Sequence, residues 1–465
     1  MTAADIVKSD VASLDSRSDA RIVSNKGKIA LLAFFMFILL VPVHPLIGGL
    51  RMDPYRIFFI IIYIPILVKL LSGSAGGVTT SDKLIFAYSF WIILCFMVNH
   101  GFEHFAYSIV WVMEISGGYI LGRLVVRNTA DYKRFVRFHV IAISVMAPLA
   151  FYELWTGHMV LTEILGKFLP ATQKNLADRF GLSRVQVVFP HSILFGLYCS
   201  IAVANIFYVA KDRLLRRLFL MCGVVAVTFT SLSSAPLLSI LLQSGLTTYD
   251  KITKGKWKLL MILAAIAYVI VASISNRSPL VLIVEKLTLD PQTGWYRIHI
   301  WRYGMENVWK HPIFGLGFNT WERPDWLSSS VDNFWLLNAM RTGIPSFLFL
   351  AAAILVHSIR IVKVPLEGQV EKQIRIGYLI VLFGIIFTLS TVHVWDALAV
   401  FIMFYIGVGA FFYTNTNIGQ TSTNAGVKHE LLDVPEEEQV TTASGTRLAR
   451  KPRPKKDFRF KVKRS

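Results

Sequence analysis

The chain has 465 residues, of which 54% are hydrophobic and 17% are charged. Soluble domains carry about 25% charged residues, so this composition excludes an ordinary water-soluble globule and indicates a membrane protein. The 48 lysines and arginines outnumber the 29 aspartates and glutamates, which gives a net charge of +19. In so apolar a chain, this excess indicates hydrophobic spans that are separated by basic loops.

The hydrophobic segments predict an all-α polytopic membrane protein. A helix crosses the ~30 Å hydrocarbon core with about 20 apolar residues, and about twelve segments approach that length. They cover residues 29–48, 55–71, 84–99, 107–126, 136–155, 191–210, 216–232, 235–248, 257–274, 334–357, 373–391 and 396–413. The segment 235–248 is the weakest of these, because it is short and has Pro236 near its start.

Charge predicts the orientation of the spans and the nature of the two tails. Loops that are rich in Lys and Arg stay in the cytoplasm, and most of the 48 basic residues fall on that side if both termini are cytoplasmic. Residues 1–28 are then a polar cytoplasmic tail, and no small-residue cleavage site follows the first apolar run, so we expect that run to remain as a span. Residues 29–413 form the membrane domain.

The segment 414–465 is predicted to be a disordered cytoplasmic tail. Its end, residues 447–464, is rich in Lys and Arg, and such a block is attracted to anionic lipid. No nucleic-acid-binding fold accompanies the basic residues, so we expect no nucleic-acid partner.

Two predicted outer loops are long, at about 156–190 and about 275–333. The second is rich in tryptophan, whose ring lies at headgroup depth in membranes and also stacks on sugar faces. Within it, the spacing of residues 295–309 predicts an amphipathic helix on the outer leaflet that ends before Pro312. One face contains Ile298, Trp301, Arg302, Met305, Val308 and Trp309, and the other contains Arg297, Ile300, Gly304, Asn307 and His311.

Several arginines lie on the predicted outer side, against the positive-inside tendency. They are Arg51, Arg56, Arg179, Arg184, Arg277, Arg297, Arg302, Arg323 and Arg341. A guanidinium group pairs bidentately with phosphate, so a phosphorylated ligand is a physical reason to place arginine there. Pairing with local acidic residues, or extension towards lipid headgroups, is the alternative for each of them.

Two acidic positions could carry chemistry. Glu114 lies inside the predicted span 107–126, where a charge is costly, so it marks either a functional site or the partner of an outer arginine. Asp332 and Asn333 directly precede the span 334–357. Asp332 is predicted either to cap that helix or to act as a general base towards a sugar hydroxyl.

Common catalytic motifs are absent from the sequence. It contains no G-x-x-x-x-G-K-[ST] phosphate loop and no Asp-x-Asp pair, which excludes phosphate-loop nucleotide hydrolysis and the usual way of holding a cation on a nucleotide sugar. Cys95, Cys199 and Cys222 lie in apolar runs without metal-binding spacing, and the histidines show no zinc motif. We therefore expect neither a metal ion nor a cofactor, and a diphosphate would be neutralised by arginine alone.

This set of residues resembles the O-antigen ligase and Wzy polymerase superfamily of bacterial envelope glycosyltransferases, and most of all the ExoQ-type exopolysaccharide polymerases. The resemblance covers about residues 120–345 in order, and the twelve-span layout agrees with it. Its motifs are Gly122-Arg123, Arg184 with Phe189-Pro190-His191, Arg297 before Trp301, His311-Pro312-Ile313-Phe314-Gly315-Leu316-Gly317, Asp332-Asn333-Phe334-Trp335-Leu336 and Gly343-Ile344-Pro345.

The resemblance implies a GT-C-like enzyme of the bacterial inner membrane. It would transfer glycan from an undecaprenyl-diphosphate-linked oligosaccharide at the periplasmic face, with inversion and without metal. Arg184 and Arg297 match the arginines that clamp the diphosphate in the family. Further substrate contacts would come from Arg179, Arg302, His191, Asn333 and His311. Ligases of the family have histidine where this chain has Asp332, so the base role passes to Asp332 and a polymerase is favoured.

Two other functions stay open at this point. The chain could be an O-antigen ligase that moves lipid-linked glycan to lipid A core, or a polysaccharide exporter or flippase. A transporter is expected to carry polar stripes at midplane depth, whereas here the ionisable residues are concentrated in the two outer loops. Besides the lipid bilayer, a chain-length regulator and export proteins are expected as partners.

Overall fold

The computed structural model describes residues 26–173, 178–210, 214–274 and 291–414, and these residues are almost entirely α-helical. The helices are α1 (26–38), α2 (Pro54–Leu71), α3 (Thr80–His100), α4 (Phe105–Val125), α5 (Thr129–Thr156), α6 (Val160–Leu165), α7 (Ser192–Ser200), α8 (Ala202–Val209), α9 (Leu214–Phe229), α10 (Ser234–Thr253), α11 (Trp257–Ile274), α12 (Pro291–Lys310), α13 (Phe334–Lys363), α14 (Gln369–Leu389), α15 (Asp396–Val408) and α16 (Phe411–Thr414). Two antiparallel strands of two residues each, β1 (Leu46–Ile47) and β2 (Leu50–Arg51), form a hairpin.

Nine helical stretches within the described residues are long and apolar enough to cross a membrane. This is the architecture of a multi-pass, all-α membrane protein, as the sequence predicts. The stretches are Pro54–Leu71, Thr80–His100, Phe105–Val125, Thr129–Thr156, Ser192–Val209, Trp257–Ile274, Phe334–Lys363, Gln369–Leu389 and Asp396–Thr414.

The first predicted span, residues 29–48, is wrong at its carboxyl end. The helix stops at residue 38, and the chain then turns into the hairpin. Pro42 and Pro45 explain the stop, because proline has no N–H to continue the helical ladder. His44 between them donates its N–H to the carbonyl of Pro170 over 2.6 Å, so this segment packs on the loop after α6.

The segment around 235–248 forms a longer helix than predicted, from Ser234 to Thr253. Pro236 lies in its first turn, where a missing N–H costs nothing. The helix is too polar to count among the nine apolar stretches, but two of its polar side chains have partners inside the bundle. Gln243 donates to the carbonyl of Ser200 over 3.1 Å, and Asp250 accepts from the hydroxyl of Tyr208 over 2.7 Å.

Helices α4 and α15 form the buried centre of the bundle, and small residues let them approach closely. A Cβ atom added to Gly122 would overlap the carbonyl oxygen of Phe404, and one added to Gly407 would overlap that of Tyr119. Glycine at a helix crossing brings two backbones together, which is how membrane helices gain van der Waals contact. The Gly122-Arg123 motif thus has a packing role at this crossing.

The predicted amphipathic helix is present as α12, and its two faces have different surroundings. Trp301 is 51% exposed and Trp309 is 67% exposed, whereas Ile300 on the opposite face is 4% exposed. That buried face packs on the first turns of α13, where Gly304 contacts Leu336. A second, small hydrophobic core is formed by Ile300, Val308, Trp321, Leu327, Val331, Leu336, Ala339 and Met340.

Long-range contacts gather the segments 39–53, 157–173, 178–191, 230–233, 311–333 and 390–395 at one end of the bundle, here called the loop-rich end. Val185 there donates to the carbonyl of Thr230 over 3.2 Å, and Asn333 donates to the carbonyl of Ser390 over 2.7 Å. The predicted tails, residues 1–28 and 414–465, lie almost wholly outside the described residues, as does the start of the predicted loop 275–333.

Candidate functional site

The loop that carries Arg184 is fixed by hydrogen bonds to two neighbouring elements. The carboxylate of Glu153, near the end of α5, accepts from the N–H groups of Gln186 and Val187, each over 2.9 Å. Val187 has a φ of 55°, a left-handed conformation that is strained for a β-branched residue. A strained backbone held by a buried carboxylate keeps the preceding Arg184 in one position.

Arg179 and Arg184 both bind the turn between α9 and α10. The Nη1 group of Arg179 donates to the carbonyl of Leu232 over 2.8 Å, and the Nη2 group of Arg184 donates to the Oγ of Ser233 over 3.1 Å. Leu232 has a φ of 44°, so this turn is strained as well. The sequence predicts a break between the spans 216–232 and 235–248, but the binding of arginines by this turn was missed, because a Thr-Ser-Leu-Ser stretch has no recognisable motif.

Arg297, on α12, lies within electrostatic reach of the same site. Burial and then the charge of Arg179 lower the pKa of Arg184 to about 10. The pKa of Arg297 is lowered overall, and burial is the largest cause. The carboxylate of Asp332 raises it by less, and the charge of Arg179 lowers it further. The structure therefore brings together three predicted arginines, Arg179, Arg184 and Arg297, which we call the arginine group, and Asp332 lies beside them.

Two members of the arginine group have a buried donor that is unused. Within the part of the chain that the structure describes, the Nε atoms of Arg184 and Arg297 are buried and have no hydrogen-bond partner. An unsatisfied buried donor costs about 1–3 kcal/mol, and more on a charged group. Such donors point to a bound anion, for which a guanidinium fork is suited.

The other predicted site residues have different roles. Asn333 caps α13, with its Oδ1 accepting from the N–H of Leu336 over 3.0 Å. The carboxylate of Asp332 accepts from the hydroxyl of Ser330 over 3.2 Å and is not the cap. Arg302 is 70% exposed, 3.9 Å from Glu306, and His311 is exposed next to the Lys310–Glu322 ion pair. The structure does not bring Arg302 or His311 to the arginine group.

His191 lies at the junction of the arginine group with the loop 390–395. Its Nδ1 accepts from the N–H of Ile193 over 3.1 Å and so caps α7. Burial and then the charge of Arg184 lower the pKa of His191 to about 4, so the ring is neutral at pH 7. Its ring centroid is 6.1 Å from that of Trp395. The predicted spans 373–391 and 396–413 leave only residues 392–395 as a short connection here.

On the other side of the loop 390–395 lies a cavity of about 100 Å³, here called the end cavity. Its lining includes the polar and aromatic side chains of Arg56, Glu114, Arg341, His393, Trp395 and Asp396, which we call its mouth, and the apolar side chains of Leu350, Ile354 and Met403, which we call its inner end. Of these, sequence analysis had singled out Arg56, Glu114 and Arg341. A volume well above the ~10–15 Å³ that one water needs leaves room for part of a ligand.

Ion pairs connect the mouth of the end cavity to the hairpin. Arg56 pairs with Glu114, and its Nη2 is 3.4 Å from Asp396. Arg51 pairs with Asp53 over 2.9 Å and with Asp396 over 3.0 Å. Glu114 is thus the partner of an outer arginine, which is one of the two roles that its position in a span predicts.

The described residues hold no group of three or more His, Cys, Asp or Glu side chains that could bind a metal ion. Among the cysteines, Cys95 and Cys199 are buried and Cys222 is exposed. No known family model matches the sequence, and no curated protein is significantly similar to it. The functional argument therefore depends on the arginine group, Asp332 and the end cavity.

Proposed function

We propose that this chain is a GT-C-like, inverting and metal-independent glycosyltransferase of the bacterial inner membrane that polymerises undecaprenyl-diphosphate-linked oligosaccharide repeat units into exopolysaccharide at the periplasmic face. The observation that carries the proposal is the arginine group with its two unused buried donors beside Asp332. Three guanidinium groups in one half-buried site suit a diphosphate, whose charge they offset without a metal ion.

In the proposed reaction, a hydroxyl oxygen of the acceptor glycan attacks the anomeric carbon of the donor from the side opposite the diphosphate. The new C–O bond forms as the bond to the diphosphate breaks, and the electron pair leaves with undecaprenyl diphosphate. The hydroxyl proton passes to the carboxylate of Asp332. Arg184 and Arg297 stabilise the charge that develops on the leaving group.

The position of the arginine group also suits a lipid-linked donor. Arg184 precedes α7 by a few residues, and Arg297 lies on the helix whose other face exposes Trp301. A diphosphate bound at this level leaves the polyprenyl tail within the bilayer, while the glycan extends into water. The same boundary suits the runner-up, an O-antigen ligase that uses lipid A core as acceptor.

The decisive experiment is chain growth by the purified protein in lipid nanodiscs with synthetic undecaprenyl-diphosphate repeat unit. We expect Arg297→Ala to lower the rate by about 10²–10³, the usual cost of removing one charge-stabilising donor. Asp332→Ala is expected to lower it by about 10²–10⁴, as for loss of a general base. Lys310→Ala is the matched control, because Lys310 is an exposed cation on the same helix. The proposal fails if both site variants elongate glycan as well as this control does.

Orientation is tested separately by reporter fusions. The proposal requires the loop-rich end to face the periplasm. The basic residues Lys133 and Lys363 lie at the opposite ends of α5 and α13, and Lys256 lies between α10 and α11, which supports this orientation. A fusion at Ser330 should report the periplasm and one at Glu367 the cytoplasm. The reverse pattern would remove the donor-binding role of the arginine group.

A further inference from the structure

The end cavity is not used by the proposed reaction. It lies on the other side of the loop 390–395 from the arginine group, and Trp395 borders both regions: it lines the cavity, and its ring is 6.1 Å from that of His191. A transferase with a donor and an acceptor substrate needs two adjoining binding sites, and the end cavity is placed to be the second of them.

The charges of the two regions differ. The mouth of the end cavity has two cations, Arg56 and Arg341, and two carboxylates, Glu114 and Asp396. The arginine group has three cations against Asp332 and the exposed Asp178, which accepts from Ser183. A balanced mouth gives no net attraction to an anion, so it favours a neutral ligand that forms hydrogen bonds with both signs of charge.

His393 supplies an unused polar atom at this mouth. Its Nδ1 is buried and has no hydrogen-bond partner among the described residues. The ring stacks between Trp395, at 5.6 Å, and Phe334, at 6.3 Å. Burial and then the charge of Arg341 lower the pKa of His393 to about 3, so the imidazole that lines the cavity is neutral at pH 7 and has one nitrogen without a partner among the described residues.

We propose that the mouth of the end cavity binds a neutral sugar residue, which under the proposed function is the terminal residue of the acceptor glycan. A pyranose ring has an apolar C–H face, which stacks on an aromatic side chain such as Trp395. Its hydroxyls donate to the carboxylates of Glu114 and Asp396 and accept from Arg341 and His393. The assignment of this sugar to the acceptor rests on the proposed function, but the binding of sugar can be tested without it.

A hydrocarbon ligand suits the cavity less well. The inner end is apolar, but the mouth has four charged side chains, and an isoprenoid chain there would remove water from them and offer no hydrogen bond in return. An acidic sugar would meet the two carboxylates. A neutral sugar satisfies both the polar mouth and the aromatic wall.

The test is saturation-transfer NMR on the protein in nanodiscs that are free of glycoside detergents. The probes are the methyl glycosides of glucose, galactose, mannose, rhamnose and N-acetylglucosamine, with methyl glucuronide and farnesol for comparison. We expect at least one neutral glycoside to bind, and His393→Phe and Trp395→Leu to weaken that binding at least about tenfold. Trp309→Leu, at a tryptophan that is 67% exposed and does not line the cavity, should leave it unchanged.

The outcomes separate this inference from the proposed function. Arg297→Ala should slow chain growth by about 10²–10³ and leave glycoside binding intact, because Arg297 does not line the cavity. If glycosides bind but the wild type never elongates glycan, the sugar site stands and the polymerase proposal fails. The inference is overturned if none of the neutral glycosides binds, if the glucuronide or farnesol binds instead, or if the variants that fold normally bind like wild type.

Discussion

The guanidinium of Arg51 donates to the carboxylate of Asp396 over 3.0 Å, across 345 positions of the chain. Arg51 ends the hairpin after α1, and Asp396 begins α15 with a φ of 53°. This contact ties the irregular segment near the amino terminus to the start of a central helix. It thereby fixes the loop 390–395, which separates the arginine group from the end cavity.

We expect Asp396→Ala to destabilise the fold by about 1–3 kcal/mol, because Arg51 and Arg56 both lose a charged partner and alanine is strained at a positive φ. Asp396→Asn should cost less, since asparagine tolerates this conformation and still accepts hydrogen bonds. Reversible unfolding in mixed micelles measures both. The control is Asp325→Ala, at an exposed carboxylate, and equal effects of Asp396→Ala and Asp325→Ala would contradict the role of this contact.

The stability of the fold should depend on pH through Asp53. Burial raises the pKa of Asp53, but hydrogen bonds from His44 and Arg51 outweigh it and lower the pKa to about 2. The folded state thus binds the proton more weakly than the unfolded state, whose carboxyl titrates near 4. The stabilisation, about 2 kcal/mol, is complete above pH 4–5 and is lost as the pH falls towards 2.

The measurement for Asp53 is the free energy of unfolding of wild type and Asp53→Asn between about pH 2 and pH 6. The wild type should lose more stability over this range than the variant does. Asp53 makes no side-chain cap to α2, so the substitution leaves the helix start intact. Parallel pH curves for the two proteins would show that the predicted linkage is wrong.

Local sequence signals predicted much of the fold. Hydrophobic length gave the nine apolar stretches, and helical spacing with Pro312 gave α12, because these signals depend on neighbours a few residues apart. The predicted faces of α12 are wrong at Val308, which was placed with Trp301 but is buried with Ile300. The hairpin at 46–51 was missed for the opposite reason. Its apolar residues resemble the end of a span, and contacts with Pro170 and Asp396 decide its conformation.

The candidate site was predicted in part. The presence of arginine on the predicted outer side, against the positive-inside tendency, pointed to Arg179, Arg184 and Arg297. The structure places these three residues together. The roles of Ser233 and His393 could not be predicted, since each depends on contacts with residues far along the chain. Span interiors also hold more polar groups than the sequence suggested. They bond to one another, as where His357 lies between the hydroxyls of Tyr378 and Tyr413, each at 2.9 Å.

The close crossing of α4 and α15 predicts a large effect of Gly122→Ala. An added methyl group would overlap backbone atoms of Phe404, and backbone cannot move aside as a side chain can. We expect a loss of about 1–3 kcal/mol or more, measured by unfolding or by the yield of folded protein. The matched control is Gly223→Ala in α9, where a Cβ would meet nothing within 4 Å and helix propensity predicts a gain of up to about 1 kcal/mol. Similar yields for the two variants would show that the crossing tolerates more than its geometry allows.

Ser233 is predicted to position Arg184. Its Oγ accepts from Arg184 over 3.1 Å and lies 3.2 Å from the Oγ of Ser192. Without that acceptor, the guanidinium is free to turn away from the diphosphate, so we expect Ser233→Ala to lower chain growth about tenfold. Inorganic pyrophosphate should inhibit the variant more weakly by a similar factor, which a purely structural role would not change. Ser273→Ala is the control, because Ser273 bonds only within its own helix.

A double-mutant cycle then decides whether Ser233 acts through Arg184. If it does, Ser233→Ala should have no further effect on chain growth or on pyrophosphate inhibition in an Arg184→Ala protein, because the group that it positions is already gone. Additive losses would mean that Ser233 contacts the substrate by itself or supports the turn 230–233 as a whole. In that case the strained Leu232, whose carbonyl binds Arg179 over 2.8 Å, becomes the residue that sets the geometry of the arginine group.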